Sequence, residues 1–245
     1  MKYHFLILAF NEEEFLEKTF NELQEIIFEE NLQDYIISIV DDCSKDKTLE
    51  IANKIKNKFN SNVNIIKNIK NIGAANSIKN YINSNEDGKL FLISGDNDLG
   101  KGMVRDLIKA SKNADLVLGS YINREKKERF RAFLSTTFNL IMCTIFDVYA
   151  FYLQGPAVWP IKHVKKIDIS ATGIAYASEV HIKLLYSGIK FSEITGYCNT
   201  GSIKSTTVKL SSFIDIFKTL ISLIYEIKIK KKYNSKSIRV QYLFE

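Results

Sequence analysis

Two aspartates separated by one residue could hold a metal ion in this chain. Asp96, Asn97 and Asp98 follow the apolar run at 89–94. Carboxylates at positions i and i+2 of an extended loop can direct hard oxygen ligands at one Mg²⁺ or Mn²⁺ ion, and such an ion neutralises a diphosphate. The same triplet is also typical of a turn with a helix-capping aspartate. It therefore predicts a metal site only in combination with other polar residues close to it.

Polar side chains also follow three earlier apolar runs. Asn11 and Glu12 come after the first run, Asp41 and Asp42 come after the second, and Asn71 comes after the third. We expect Asn11 to cap the next helix, because an asparagine followed by acidic residues is typical of a helix N-terminus. A plain turn is the alternative for Asp41 and Asp42. Their chemistry depends on whether the fold brings these residues together.

Apolar runs alternate with helical periodicity over roughly the first half of the chain. The runs lie at 3–9, 35–40, 63–67, 89–94 and 115–120. Helices are predicted between them, with starts near Asn11, Thr48 and Gly73. This alternation predicts an α/β fold whose mostly parallel sheet is covered by helices on both faces. Ligands of such sheets bind outside the carboxyl ends of the strands, so the polar residues above should converge on one edge.

Four segments carry a resemblance to a known family. They read LAFNEEEFL, IVDDCSKDKTLEIA, NIGAANSIKNYI and GDNDLGKGMVRDL. In this order and spacing they resemble the signatures of the inverting family 2 glycosyltransferases, and most of all those of the dolichyl- or polyprenyl-phosphate hexose synthases. The resemblance covers about residues 3 to 210. It implies the GT-A fold, a Rossmann-like and mostly parallel central sheet flanked by helices.

The resemblance also implies a donor site. It assigns Phe10 and Glu12 to the pocket of the base and ribose, and Asp42 to the polar edge of the base. Asp96 and Asp98 take the ribose and metal-diphosphate roles, and both are the predicted ligands of Mg²⁺ or Mn²⁺. The predicted nucleotide-sugar-binding set is Ala9, Phe10, Asn11, Glu12, Val40, Asp42, Asn71, Gly73, Asp96 and Asn97. A glycine in this set lets backbone approach the nucleotide, although a helix-start turn would equally use one.

An acceptor element follows the fifth run. Arg131, Ser135 and Asn139 match the Arg-x-x-x-Ser-x-x-x-Asn spacing of the lipid-phosphate members. Arg131 is the predicted contact of the acceptor phosphate, because the planar guanidinium fork suits phosphate oxygens. A solvated basic helix start is the alternative. Tyr121 stands after Gly119-Ser120 where the family commonly has an arginine, so one expected phosphate contact differs here.

Three further charged residues are predicted to be catalytic. Glu179 lies in a segment that resembles the one bearing the family's glutamate, where it is either a general base or a charge that orders the pocket. A sugar hydroxyl acceptor needs such a base, whereas a phosphate acceptor is already anionic. Lys204 and Lys209 lie where the lipid-phosphate members have a basic segment, and we expect one or both to stabilise the leaving diphosphate. Surface charge is the alternative for these lysines.

Composition limits the class of protein. The chain has 245 residues, of which 46% are hydrophobic, so it can bury a sizeable core. Its three scattered cysteines fit no zinc site or disulfide framework and favour a cytoplasmic protein. The apolar run at the N-terminus is too short for a signal peptide and predicts a buried strand. The net charge of +6 suits phosphates or anionic lipid, and the basic clusters lack the interleaved aromatic residues of a nucleic-acid surface.

The C-terminal region combines apolar and basic residues. An apolar helix is predicted at 213–229, and Lys230, Lys231 and Lys232 follow it. Such a helix is typical of an interfacial helix on anionic lipid, and a core or homodimer helix is the alternative. We predict a GT-A domain at 1–205 and a helical appendage at 206–245, in a protein that contacts the inner face of the cell membrane.

Three functions are consistent with these residues. The first is inverting transfer of a hexose from a UDP- or GDP-sugar to a polyprenyl phosphate. The second is transfer to a sugar hydroxyl in surface polysaccharide or glycan assembly. The third is a non-catalytic nucleotide- or glycan-binding module, which would have no need of the full set of carboxylates. We predict a metal-dependent hexosyltransferase.

Overall fold

The computed structural model describes residues 1–59, 61–123, 129–199 and 210–241. Its elements are β1 Tyr3–Ala9, α1 Leu16–Glu29, β2 Tyr35–Asp41, α2 Thr48–Lys58, β3 Val63–Lys67, α3 Ala74–Asn83, β4 Lys89–Ser94, α4 Lys101–Ser111, β5 Leu116–Tyr121, α5 Arg129–Phe146, β6 Ala157–Pro160, α6 Ile161–Val164, α7 Tyr176–Leu185, β7 Lys190–Gly196, α8 Leu210–Leu223, a π-helical turn Ile224–Ile229 and β8 Ile238–Arg239. The predicted α/β fold is confirmed, and each of the five predicted strands lies within one residue of its expected position.

In the part of the chain that the structure describes, one mostly parallel sheet of eight strands forms the centre of the fold. Its order is β3-β2-β1-β4-β6-β5-β7-β8. Among the strands of the described ranges, only β6 runs antiparallel to its neighbours, which are β4 and β5. The parallel pairs β1 with β2 and β1 with β4 put the ends of these three strands side by side. The loops after β1, β2 and β4 therefore meet at one edge, as the sequence indicated.

Apolar residues lie on both faces of the sheet. Within β1, Phe5 and Ile7 belong to the cluster that includes α1, α2 and α4. Leu6, between them, belongs to the other cluster, which includes α3, α5, α6, α7 and α8. Successive side chains of a strand point to opposite faces, so a continuously apolar strand is what a sheet with two covered faces requires.

The start of α1 corrects one prediction. The helix begins at Leu16 and the residue before it is Phe15, so Asn11 does not cap it. Asn11 instead has a φ of 58°, a left-handed conformation that asparagine tolerates better than most residues. Its side-chain oxygen accepts a hydrogen bond from the Lys45 N–H at 2.8 Å. Asn11 therefore joins the loop after β1 to the loop after β2.

The C-terminal region packs on the same core and adds a strand. Leu223 of α8 and Ile227 of the π-helical turn are buried in the cluster that includes α5 and α7. β8 pairs in parallel with β7, and Ile238 lies opposite Lys190. No helix in the described ranges is long and apolar enough to cross a membrane. The division into domains at residue 205 stays a prediction.

Candidate functional site

A pocket of about 350 Å³ opens at the carboxyl ends of β1, β2, β4 and β5. Apolar, acidic and small residues share its wall. They are Leu8, Ala9, Phe10, Glu12, Val40, Asp42, Ala74, Ser77, Leu92, Ile93, Ser94, Asp98, Leu99, Tyr121, Gln154, Gly155 and Pro156. Five residues of the predicted nucleotide-sugar-binding set line the pocket, together with the predicted metal ligand Asp98 and three residues of the loop before β6.

The loop after β1 is held from the β2 side. The backbone N–H of Asn11 donates to Ser44 Oγ at 3.0 Å, and the N–H of Glu12 donates to Thr48 Oγ1 at 2.8 Å. These bonds fix the backbone that carries Phe10 and Glu12 into the pocket. The ring of Phe10 is 43% exposed, which leaves an aromatic face available to a planar group such as a nucleotide base.

Asp42 organises the turn before α3. Its Oδ1 accepts hydrogen bonds from Asn68 Nδ2 at 2.8 Å and from the Ile72 N–H at 2.9 Å. Its Oδ2 accepts from the Gly73 N–H at 2.8 Å, where Gly73 has a φ of 80°. A carboxylate has about four acceptor positions, so these three bonds leave room for a further donor from a ligand. Asn71, beside this turn, is exposed and does not line the pocket.

In the loop after β4, the side chains of the Asp-Asn-Asp triplet have different surroundings. Asp98 lines the pocket, whereas Asp96 does not, and Asp96 Oδ1 accepts a hydrogen bond from the Asp98 N–H at 3.2 Å. Asn97 is buried with a φ of 57°. With its amide oriented to satisfy both partners, Asn97 donates to Glu22 and accepts from Lys18 of α1. The structure therefore directs the Asn97 side chain towards α1 and only Asp98 into the pocket.

Tyr121 at the end of β5 contacts Asp98. The phenol donates a hydrogen bond to Asp98 Oδ2 at 3.2 Å. Burial, with the negative charge of Asp98 adding to it, raises the pKa of the Tyr121 phenol well above its usual value. The hydroxyl therefore stays protonated and remains a donor at neutral pH. The sequence indicated only that Tyr121 replaces an arginine, and it gave no sign of this contact.

Two glycines bring the loop before β6 against β5. A Cβ added to Gly155 would lie 1.9 Å from the Gly119 carbonyl oxygen, so only glycine allows this approach. The Gly119 N–H donates to the Pro156 carbonyl oxygen at 2.7 Å. This contact places residues 154–156 in the pocket wall.

The preceding residues of that loop are anchored from two helices. Asn139 of α5 accepts from the Leu153 N–H at 2.8 Å and donates to the carbonyl oxygens of Ala150 and Phe151. His181 of α7 bonds the Leu153 carbonyl oxygen through Nδ1 at 2.9 Å. Asn139 belongs to the predicted acceptor element, whereas no sequence pattern pointed to His181. Both residues act on the pocket through the loop.

Glu179 lies outside the pocket. It is fully buried, and its carboxylate accepts from the backbone N–H groups of Ser170 and Ala171. It also pairs with Lys183 at 2.8 Å, and Lys183 pairs with Glu226 of the π-helical turn at 2.9 Å. The structure therefore does not bring Glu179 to a position from which it could take a proton from a bound acceptor. Its charge orders the segment before α7 instead.

The side chains of three predicted catalytic residues lie outside the described part of the structure. The backbone of Arg131 belongs to α5, and its side chain is outside the described part of the structure. Lys204 and Lys209 lie in the range 200–209, which is also outside the described residues. Their roles stay predictions.

The donor atoms at Asp98 suit a divalent metal ion. Within the described ranges, no three His, Cys, Asp or Glu side chains gather to hold a metal ion by themselves. Mg²⁺ and Mn²⁺ sites of phosphate-transferring enzymes commonly use one or two carboxylates together with substrate phosphates and water. One pocket-facing carboxylate, oriented by the Tyr121 hydroxyl, fits that arrangement.

Comparisons with known proteins agree with this fold. The family described as Glycosyl transferase family 2 matches residues 5–167, about two thirds of the chain. A search of curated protein sequences gives no match.

Solved structures share the fold at low sequence identity. S. aureus TarS 1-349 in complex with UDP-GlcNAc has a TM-score of 0.62 and 17% identity, over 91% of this chain and 67% of that one. Mannosyl-3-phosphoglycerate synthase from Rubrobacter xylanophilus has a TM-score of 0.67 and 13% identity, over 100% and 78%. Mannosyltransferase PcManGT from Pyrobaculum calidifontis in complex with GDP-Man and Mn²⁺ has a TM-score of 0.55 and 11% identity, over 93% and 75%.

The chain matches only part of the length of the TarS chains. The chain spans 56% of the TarS 1-349 chain in one structure and 40% of the chain in another TarS structure. At these identities the similarity shows the fold.

Proposed function

Because the chain belongs to glycosyl transferase family 2, we propose that it transfers a hexose from a UDP- or GDP-sugar to a polyprenyl phosphate with inversion at the sugar. The main support is the pocket that gathers Phe10, Glu12, Asp42 and Asp98 at the ends of three neighbouring strands. Aromatic, hydrogen-bonding and metal-binding groups are the ones that a base, a ribose and a diphosphate require. The ligands named for TarS and PcManGT, UDP-GlcNAc and GDP-Man, favour the same donor class.

Asp98 is the proposed contact to the donor diphosphate. An Mg²⁺ or Mn²⁺ ion between this carboxylate and the phosphates would neutralise the charge that develops on the leaving group. The Tyr121 hydroxyl holds Asp98 in place for this contact. Ala9, Val40 and Leu8 shape the apolar floor beside it.

The carboxylates of the pocket favour a phosphate acceptor. Among the described residues, the acidic side chains that line it are Glu12, Asp42 and Asp98, and all three are assigned to the donor. Glu179 is enclosed by Ser170, Ala171 and Lys183. A phosphate oxygen can attack the sugar C1 without losing a proton, as the bond from C1 to the nucleoside diphosphate breaks, so no general base is needed. The reaction would take place at the inner face of the cell membrane.

An acceptor hydroxyl is the second candidate. It is favoured by the fold shared over the whole chain with mannosyl-3-phosphoglycerate synthase, whose name denotes transfer to a non-lipid acceptor. This candidate requires a base that the described part of the pocket does not supply beyond the three donor carboxylates.

Ligand-induced thermal shifts test the donor site. UDP, GDP and their sugar conjugates are added with Mn²⁺, Mg²⁺ or EDTA to wild type, Asp98→Ala and the control Asp106→Ala, whose aspartate lies on α4 outside the pocket. A ligand at about a hundred times its dissociation constant should stabilise wild type and the control by roughly 2.7 kcal/mol. We expect the metal-dependent part of this stabilisation to be lost in Asp98→Ala. No shift with any nucleotide would contradict the donor site and favour a non-catalytic glycan-binding module.

Product partition tests the acceptor. Labelled nucleotide-sugar is incubated with polyprenyl phosphate, with free polyprenol, or with mono- and oligosaccharides. We expect butanol-extractable label with the phosphate alone. Label in the saccharide fraction would support the second candidate, and hydrolysis of the donor without transfer to any of these would reject both acceptors.

A further inference from the structure

One side of the C-terminal helix is apolar and exposed. Ile214, Phe217, Ile221, Tyr225 and Ile229 are between 48% and 67% exposed. They are spaced by three or four residues, so they follow one another along α8 and the π-helical turn. We name these five residues the C-terminal stripe. A continuous row of large apolar side chains on a helix surface is typical of an interaction site.

The stripe is distinct from the side of the helix that packs on the core. Leu223 and Ile227 are buried, and Ile216, Leu220 and Ile224 pack against the same cluster. The helix therefore already has the apolar contacts that attach it to the sheet. The C-terminal stripe is a second apolar side of the same helix. Packing within the described residues leaves it exposed.

The charges around the stripe have one sign. Lys218, Lys228, Lys230 and Lys231 are exposed. The acidic residues of this segment point inwards, because Glu226 pairs with the buried Lys183 and one carboxylate oxygen of Asp215 is buried. Lys232 also lies here and pairs with Asp168. The surface of the segment at 214–231 thus presents apolar groups and cations.

Helix α5 connects this region to the pocket. It packs against the π-helical turn, and it exposes Phe133, Leu140 and Ile141. The same helix carries Asn139, which holds the loop that leads into the pocket wall. An attachment made through the C-terminal stripe would therefore be one helix away from the proposed active site.

We propose that the C-terminal stripe and its lysines bind the surface of an anionic lipid bilayer. The apolar side chains enter the boundary between headgroups and acyl chains, and the lysines lie among the anionic headgroups, as in other interfacial helices. The charge complementarity favours this occupant over a second copy of the chain, because two lysine-rich stripes would repel each other. This inference stands apart from the acceptor, since a membrane-bound enzyme can modify either kind of acceptor.

Vesicle flotation of the full chain tests the proposal. Vesicles of phosphatidylcholine alone are compared with vesicles that also contain phosphatidylglycerol, at low and high salt. We expect binding to the anionic vesicles, weakened by salt, and little binding to the neutral ones. Absence of binding to anionic vesicles at low salt would overturn the proposal.

Variants locate the binding surface. We expect Phe217→Ser combined with Ile221→Ser to reduce vesicle affinity more than tenfold, and Lys228→Gln and Lys230→Gln to reduce it about fivefold each. Ile69→Ser, at an isoleucine that is 97% exposed elsewhere, and Lys162→Gln on α6 are the matched controls. Equal affinities for the stripe variants and the controls would show that another surface binds.

A sedimentation measurement tests the alternative that a second copy of the chain covers the C-terminal stripe. Without lipid, we expect the same monomeric mass for wild type and for Phe217→Ser with Ile221→Ser. A wild-type dimer that becomes monomeric in this variant would show that the stripe binds a second copy, and it would overturn the lipid assignment. Circular dichroism of each variant confirms that the helix is retained.

Discussion

The phenol hydroxyl of Tyr121 donates a hydrogen bond to Oδ2 of Asp98 across 3.2 Å. The bond joins the end of β5 to the loop after β4, two segments that are 23 residues apart in the chain. A hydrogen-bond donor of this kind sets the orientation and the basicity of a metal-binding carboxylate.

Tyr121→Phe removes this hydrogen bond and retains the ring. We expect the affinity for Mn²⁺ in the presence of UDP to fall by about 10- to 100-fold, with little change in the unfolding midpoint. Electron paramagnetic resonance of free Mn²⁺ gives the affinity directly. Tyr35→Phe, at the opposite end of the sheet, is the control. Unchanged Mn²⁺ affinity in Tyr121→Phe would show that the bond does not orient Asp98.

Gly155→Ala should damage the pocket wall. Its Cβ would lie 1.9 Å from the Gly119 carbonyl oxygen, and backbone must shift to relieve the overlap. We expect a loss of at least about 1–3 kcal/mol in the free energy of unfolding, together with weaker donor binding.

A second glycine provides the control for this substitution. A Cβ at Gly102 of α4 would meet nothing within 4 Å. Gly102→Ala should therefore raise the free energy of unfolding by roughly 0.5–1 kcal/mol, because alanine favours a helix over glycine. Urea unfolding of both variants measures the difference, and equal effects would contradict the proposed close approach.

His181 predicts a dependence of stability on pH. Burial lowers its pKa to about 4, although its hydrogen bond to Leu153 acts in the opposite direction. The neutral ring also accepts from Trp159 Nε1 at 2.8 Å, and a second ring proton would abolish that bond. The unfolded chain takes up this proton near pH 6.5, so stability is complete above that pH and is lost as pH falls towards about 4.

The size of this effect follows from the difference between the two pKa values. It corresponds to a loss of about 3 kcal/mol between the two limits, and no further loss from this residue below the lower one. Urea unfolding at a series of pH values tests it, with His181→Gln as the comparison. An identical pH slope in that variant would reject the assignment to His181.

Glu179→Gln separates an ordering role from a catalytic one. The substitution leaves Lys183 paired only with Glu226 and places an amide against the donors of Ser170 and Ala171. We expect a loss of about 3–5 kcal/mol in the free energy of unfolding. Glu50→Gln, at an exposed ion pair with Lys54, should leave the free energy of unfolding nearly unchanged, because solvent screens that pair.

Turnover per folded molecule completes this experiment. It should be nearly unchanged in Glu179→Gln once unfolded protein is subtracted. Wild-type stability with a fall in turnover of about 100-fold or more would instead identify Glu179 as a general base.

The layout of the fold follows from the pattern of apolar residues along the chain, and this layout places the pocket at one edge of the sheet. Continuously apolar strands that alternate with helices need cover on both faces of the sheet. This pattern lies within short stretches of the chain, so it is visible in the sequence. Parallel strands put their carboxyl ends at one edge, so the sequence predicts that Glu12, Asp42 and Asp98 meet there, and all three line the pocket.

Which side chains enter the pocket depends on local backbone angles and on contacts between segments that are distant in the chain. Asn97 and Asp98 are neighbours in the chain, yet the left-handed backbone at Asn97 directs one side chain to α1 and the other to the pocket. Glu179 lies with Lys183 and Glu226 because the C-terminal helix packs beside α7. Side-chain direction and ion pairing depend on backbone angles and on segments distant in the chain, and a linear motif carries neither.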